Sequence, residues 1–225
     1  MFKSLSIIFA VLLAGAAILY GAGAGAGADA VAVPDPVVDA PLAASKGEQT
    51  AVLAGGCFWG VEAVFEHVKG VNSVTSGFAG GGSKPARYDA VSEGTTGHAE
   101  SVRISYDPSR ITYGQLLKVF FAVAHDPTEL NRQGPDTGTQ YRSAIFYAND
   151  EQRRIAEAYV EQLNRAKVFG RRVVTQVSAL DAFHPAESYH QDYLARHPDE
   201  PYIVINDLPK VENLRKRFPQ LYVSR

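Results

Sequence analysis

Cys57 is the only cysteine of the 225-residue chain and Trp59 the only tryptophan. Both lie in the stretch LAGGCFWGVEAVFEHV, from Leu53 to Val68. A thiol is a nucleophile only as its thiolate, which the unpaired N–H groups and positive dipole end of a helix N-terminus favour. The spacing places Cys57 at such a point, with an expected lowered pKa, while Gly55 and Gly56 ahead of it let a substrate approach the backbone. Position alone also fits a small buried hydrophobe. Phe58 and Trp59 could enclose a small apolar group such as a methyl while excluding water, or simply pack in the core. Glu100 shares parity with Val102, Ile104 and Tyr106, so a strand carries its carboxyl on the apolar face, where poor solvation keeps it protonated near neutrality. Asp136, Tyr141 and Tyr88 lie in the polar stretches RQGPDTGTQYRS and KPARYDAVSEG, and their hydroxyls and carboxyl could direct hydrogen bonds onto an oxygen or a water.

The histidines, at positions 67, 98, 125, 184, 190 and 197, form no HxH or HxxxH pair, which with one cysteine argues against a zinc site or any other bound metal. A cysteine hydrolase using His98 or His190 as base is a second enzymatic reading. A non-catalytic module gripping its ligand through Phe58 and Trp59 is a third. A single cysteine closes no disulfide within the chain. A net charge of −2 and a pI near 6.3 leave no basic excess for nucleic acid.

These groups need elements to hold them. TAVLAGG, from Thr50, reads as a buried strand; Val61, Val64, Phe65 and Val68 mark one face of a helix that Gly70 stops. VNSVTSGFAGG and HAESVRISYD read as two further strands, Thr112 to Ala124 as a second helix, and His125 to Arg142 as a long loop. SAIFYA, then Asp150 to Ala166, then RRVVTQVSAL read as strand, helix and strand, and the tail from Phe183 is expected to wrap the surface with little regular structure. The order β-α-β-β-α-β-α-β predicts an α+β fold, a two-layer α/β sandwich with a mixed or antiparallel sheet. Lys3, the apolar run from Leu5 to Tyr20 and Ala28-Asp29-Ala30 give residues 1–30 the form of a signal peptide or N-terminal anchor. The protein is therefore expected to be exported to the periplasm, or held on the inner membrane by that segment. Residues 31–48 read as a flexible linker, residues 49–225 as one domain, and the molecule as a monomer.

GGCFWGVEAVFEHVKGV, TGHAESV, HDPTELNRQG, DTGTQYRS, YHQDYL and PYIVINDLPKV follow one another across residues 50–222. In order and spacing this set resembles the A-type peptide methionine sulfoxide reductases. The resemblance implies a ferredoxin-like α/β sandwich that reduces the S epimer of methionine sulfoxide, free or in peptides. It implies Cys57 as the nucleophile that becomes a sulfenic acid, Glu100 as the acid on the sulfoxide oxygen, and Tyr88 and Tyr141 as phenols holding that oxygen. Phe58 and Trp59 match the walls around the methyl group, and Asp136 a pocket aspartate. Many relatives carry further cysteines; here the tail VENLRKRFPQLYVSR has none, and Ser92 stands where several place one. The implied partners are oxidised proteins undergoing repair after oxidative damage and an external thiol reductant, glutathione or a glutaredoxin-like or thioredoxin-like protein, with no bound cofactor.

Overall fold

A computed structural model describes residues 32–225, and the expected signal peptide or anchor at 1–30 lies outside them. Strand β1 (Gln49–Gly55) ends at Gly56, whose φ of +89° makes the turn that delivers Cys57 to the start of helix α1 (Phe58–Glu66). The helix is buried on more than the expected stripe, since Gly60, Glu62 and Ala63 are covered along with Val61, Val64 and Phe65. Strand β2 (Val71–Ala79), a short helix α2 (Tyr88–Ser92) that the sequence did not suggest, and strand β3 (Ala99–Tyr106) follow. Helix α3 (Tyr113–Val119) opens on a reciprocal cap between Thr112 and Gln115, and a π-helical turn, Phe120–Ala124, carries it to the predicted end. The long loop contains a small hairpin, β4 (Arg132–Gln133) and β5 (Asp136–Thr137), and a 3-10 turn, Thr139–Tyr141. Strand β6 (Ser143–Tyr147) and helix α4 (Asp150–Arg165), with Ile155, Tyr159 and Leu163 buried, stand as predicted.

The six-stranded sheet runs β7-β6-β1-β3-β2-β8, where β7 is Gln176–Ala179 and β8 is Phe183–Pro185. Only β6 and β7 pair in parallel; the other neighbours are antiparallel. The result is the expected mixed sheet with helices packed on it. Alternation sorts the strands: Leu53, Val102, Ile104 and Ile145 join the main core with the helices, while Val52, Ala54, Ala79, Ala99, Ala144 and Phe146 form a thinner layer under Leu180 and Phe183. Glu100 lies opposite Phe78 of β2, on the helix-covered face.

Three expectations change. Only the end of RRVVTQVSAL is a strand, because Val173 and Val174 give their N–H groups to Asn164 and Pro127 instead of to a ladder. The tail is not irregular: after β8 come a 3-10 turn (Ser188–His190), helix α5 (Tyr193–Arg196), a π-helical turn (Ile203–Asp207) and helix α6 (Leu208–Arg217). The last forms because Pro209 suits a first turn and Val211, Leu214 and Phe218 pack into the main core. Residues 32–48, expected as a flexible linker, carry no helix or strand but are fastened down: Tyr159 Oη donates to the Pro34 carbonyl at 2.7 Å, and Asp39 accepts from the Gly114 N–H at 2.8 Å. Among the described residues no helix is long and apolar enough to cross a membrane.

Candidate active site

Cys57 occupies the N-cap position of α1 and is 8% exposed. The left-handed Gly56 ahead of it leaves room for the Gln133 side chain, which stands 2.5 Å from where a Cβ would be. Burial, followed by the neighbouring Glu100 and Asp207 carboxyls, pushes the thiol well above its ordinary value. The Trp59 N–H and Lys210 oppose that rise and lose to it. The lowered pKa expected from the helix terminus is therefore overturned: desolvation outweighs the dipole, and the resting group is a protonated thiol.

Glu100 behaves as its parity predicted. It is 3% exposed, and burial raises it to about 8 against the pull of the Phe58 N–H, which donates to Oε2 at 3.1 Å. The carboxyl is thus an acid at neutral pH, tied to the residue that follows the thiol. Tyr88 begins α2 and Tyr141 ends the 3-10 turn; burial raises both phenols, and each also feels the charges of Glu100, Asp136 and Cys57. Asp136, on β5, is raised by burial and accepts a hydrogen bond from the Tyr202 hydroxyl. The residues chosen from sequence therefore gather around the thiol, from α1, α2, β3 and the loop that carries the small hairpin and the 3-10 turn.

The aromatic pair divides its work. Phe58 points into the core, with its ring centroid 5.8 Å from Phe78. Trp59 is half-buried and stacks on Tyr193 at 3.8 Å and 7°, with Tyr202 edge-on at 6.0 Å. Its indole N–H donates to His190 Nδ1 at 3.2 Å, and the His190 ring lies 4.3 Å from that of Tyr88. Tyr193, Tyr202 and the buried ion pair Asp207 and Lys210, 3.0 Å apart, were missed because the tail read as irregular. The spacing of Val211, Leu214 and Phe218 behind Pro209 was the signal for the helix that carries Lys210.

Neither histidine of the hydrolase reading is free to act as base. His98 accepts from the Gly81 N–H at 3.1 Å and so donates its Nε2 proton to the Lys84 carbonyl at 3.1 Å. His190 spends Nδ1 on Trp59. A thiol beside a carboxylic acid, under an aromatic wall and without an available imidazole, fits a thiol-dependent oxidoreductase.

The peptide methionine sulfoxide reductase family profile matches residues 49–222. The chain is 58% identical over 182 residues to the peptide methionine sulfoxide reductase MsrA 2 of Mesorhizobium japonicum, covering 81% of this chain and 93% of that protein. It is 51% identical over 188 residues to the protein of the same name in Synechocystis, covering 83% and 88%. The structure of methionine sulfoxide reductase A of Corynebacterium diphtheriae superposes with a TM-score of 0.58 at 36% identity, over 76% of this chain and 89% of that one. Reduced Mxr1 from Saccharomyces cerevisiae superposes with a TM-score of 0.60 at 31% identity, over 72% and 92%. The chain belongs to the peptide methionine sulfoxide reductase family, and it is an oxidoreductase that reduces methionine sulfoxide.

Proposed function

We propose that this reductase acts on the S epimer of methionine sulfoxide, free and in peptides, with Cys57 as nucleophile and Glu100 as acid. The observation that carries the reading is the 3.1 Å bond from Phe58 N–H to the Glu100 carboxyl, which holds a protonated acid beside the thiol. A sulfoxide oxygen leaves poorly as oxide, so proton donation accompanies sulfur–sulfur bond formation. The Cys57 sulfur bonds to the substrate sulfur, and the Glu100 proton passes to the oxygen. Methionine departs as the thioether, and the oxygen ends on Cys57 as a sulfenic acid. The thiol proton restores Glu100, so thiol and sulfoxide give sulfenic acid and thioether with no net proton change. Tyr88, Tyr141 and Asp136 supply the polar side of the pocket, and Trp59 the wall for the methyl group, backed from the core by Phe58. Fixing methyl, oxygen and sulfur together selects one epimer.

With one cysteine in the chain, the sulfenic acid is reduced by an external thiol through a mixed disulfide with glutathione or a glutaredoxin-like or thioredoxin-like protein. The core is of ferredoxin-like type, a reading supported by the antiparallel order β6-β1-β3-β2 with α1 and α3 as crossovers. Residues 1–30 export the chain as a monomer that repairs oxidised envelope proteins; cell fractionation tests this.

Purified protein given separate S and R epimers of a methionine sulfoxide peptide with dithiothreitol should consume only the S epimer. Cys57→Ser should consume neither. Turnover of both epimers, or an active mutant, would refute the assignment. After one turnover without reductant, mass spectrometry should find one added oxygen on Cys57.

A further inference from the structure

The Asp207 and Lys210 pair takes no part in the chemistry above, yet it is buried against its centre. Asp207 is 0% exposed and Lys210 7%, and Lys210 Nζ donates to Asp207 Oδ1 at 3.0 Å. Gly60 makes this approach possible: a Cβ there would stand 2.1 Å from Asp207 Oδ1 and 2.7 Å from Lys210 Nζ. The pair therefore lies flat on the first turn of α1, the turn that Cys57 caps.

Stability does not account for it. A buried ion pair seldom outperforms apolar side chains of equal volume. A cation beside the positive end of a helix dipole is unfavourable unless anions surround it. Asp207 provides one anion and is itself under-bonded, since Oδ2 is buried without a partner among the described residues. The arrangement leaves an ammonium group with room for a second negative charge, and the thiol that caps α1 is a group able to develop one there.

We propose that Lys210 is a positioning residue for the thiol chemistry, a buried cation clamped by Asp207 under the first turn of α1 so that the Cys57 sulfur can carry negative charge. The proposal rests on Cys57 being the nucleophile. The charged and titratable groups facing the sulfur are Glu100 from β3, Asp207 and Lys210 from the C-terminal helical segments, and the phenols of Tyr88, Tyr141, Tyr193 and Tyr202. Among them Lys210 is the one cation. Burial raises Asp136 and Asp207 as well, and Lys210 pulls both back. As Cys57 ionises, the new charge shares the ammonium with these carboxylates, which lowers the cost of forming a thiolate in a desolvated pocket.

Because Cys57 is the only thiol, the rate of alkylation of the full chain by iodoacetamide across pH reads that sulfur alone. Lys210→Met keeps the stem and removes the charge; its alkylation midpoint should rise by about one pH unit, slowing the reaction about tenfold near neutrality. Its kcat should fall while KM holds, and Lys210→Arg should restore the midpoint. Asp207→Asn removes the opposing charge, and its midpoint should move down. Folded variants whose midpoints match the parent overturn the proposal. Should Lys210→Met fail to fold, Lys210→Gln decides alone: a raised midpoint supports the proposal and an unmoved or lowered one overturns it. Turnover by Cys57→Ser would instead strike the nucleophile assignment, with the alkylation midpoints still reporting on Lys210.

Discussion

Two buried polar clusters stand on either side of the Gly55-Gly56 turn, and they are built on opposite terms. On one side His125 is within 3.1 Å of where a Gly55 Cβ would be, and Ser143 pairs with Gly55 across the sheet. Here each polar atom is partnered: His125 bonds the Phe120 carbonyl at 3.2 Å and Ser143 Oγ at 2.7 Å, and Ser143 meets Thr175 Oγ1 at 2.7 Å. Burial pushes His125 down to about 3, so it stays neutral. On the other side Glu100 is pushed up to about 8 with a single donor, while Asp207 Oδ2 and His190 Nε2 are buried without partners among the described residues. An orphaned buried polar atom costs about 1–3 kcal/mol. The first cluster avoids that cost by closing its own bonds, and the second carries it around the thiol.

The comparison can be broken most sharply at its two extremes. Cys57→Ser should lower turnover of the S-epimer peptide by at least about 10³-fold while leaving the melting temperature near the parent value. Glu100→Gln should cost about 10²-fold in kcat, the usual scale for a general acid. In the proposed chemistry the protonated carboxyl is the working form, so the parent's rate should hold below and decline as pH rises through about 8, and Glu100→Gln should lack that limb. A variant that keeps the limb would assign it to another group.

Across the turn the effects should fall on stability instead. His125→Ala should cost about 2 kcal/mol in urea unfolding by leaving a cavity and removing one of the two partners of the Ser143 hydroxyl, with turnover per folded molecule within about threefold of the parent. Loss of turnover without loss of stability would erase the distinction between the clusters. The His125 pKa lies below its ordinary 6.5 in the folded chain, so the unfolded chain binds the proton first as pH falls. Its contribution is complete above about 6.5 and is lost progressively toward 3. The parent should therefore lose more stability over that range than His125→Asn, as read by urea midpoints at each pH. Smallest of all, Thr175→Val should cost about 1 kcal/mol and leave the pH–rate profile unchanged.

The half of the site borne on strongly patterned elements was legible in the sequence. The glycine turn put Cys57 at a helix start, and strand parity put Glu100 on the apolar face, because both follow from local geometry. The sign of the Cys57 shift was not legible, since it depends first on how completely the fold buries the thiol and then on carboxyls brought from β3 and the tail, distant in sequence. Trp59 looked like core until Tyr193 and Tyr202 closed around it. Those residues lie where π-helical turns and short helices interrupt the 3.6-residue period, so the apolar pattern alone did not reveal their elements. The mixed sheet was predicted from element order, but the strand at β8 was lost in a stretch rich in His and Pro.

The pairing of Glu100 with Phe78 across β3 and β2 bears on how such a chain can change over generations. Inserting or deleting one residue between Glu100 and the paired residues 102–106 of β3 would turn its carboxyl to the opposite face, among Ala79, Ala99 and Ala144. Inserting or deleting two would restore its facing while moving it along the strand. Surface loops can therefore change length without touching the acid, whereas even a two-residue change in β3 shifts it by about 7 Å relative to the thiol. One residue too many in this strand is enough to take the acid away from the sulfur.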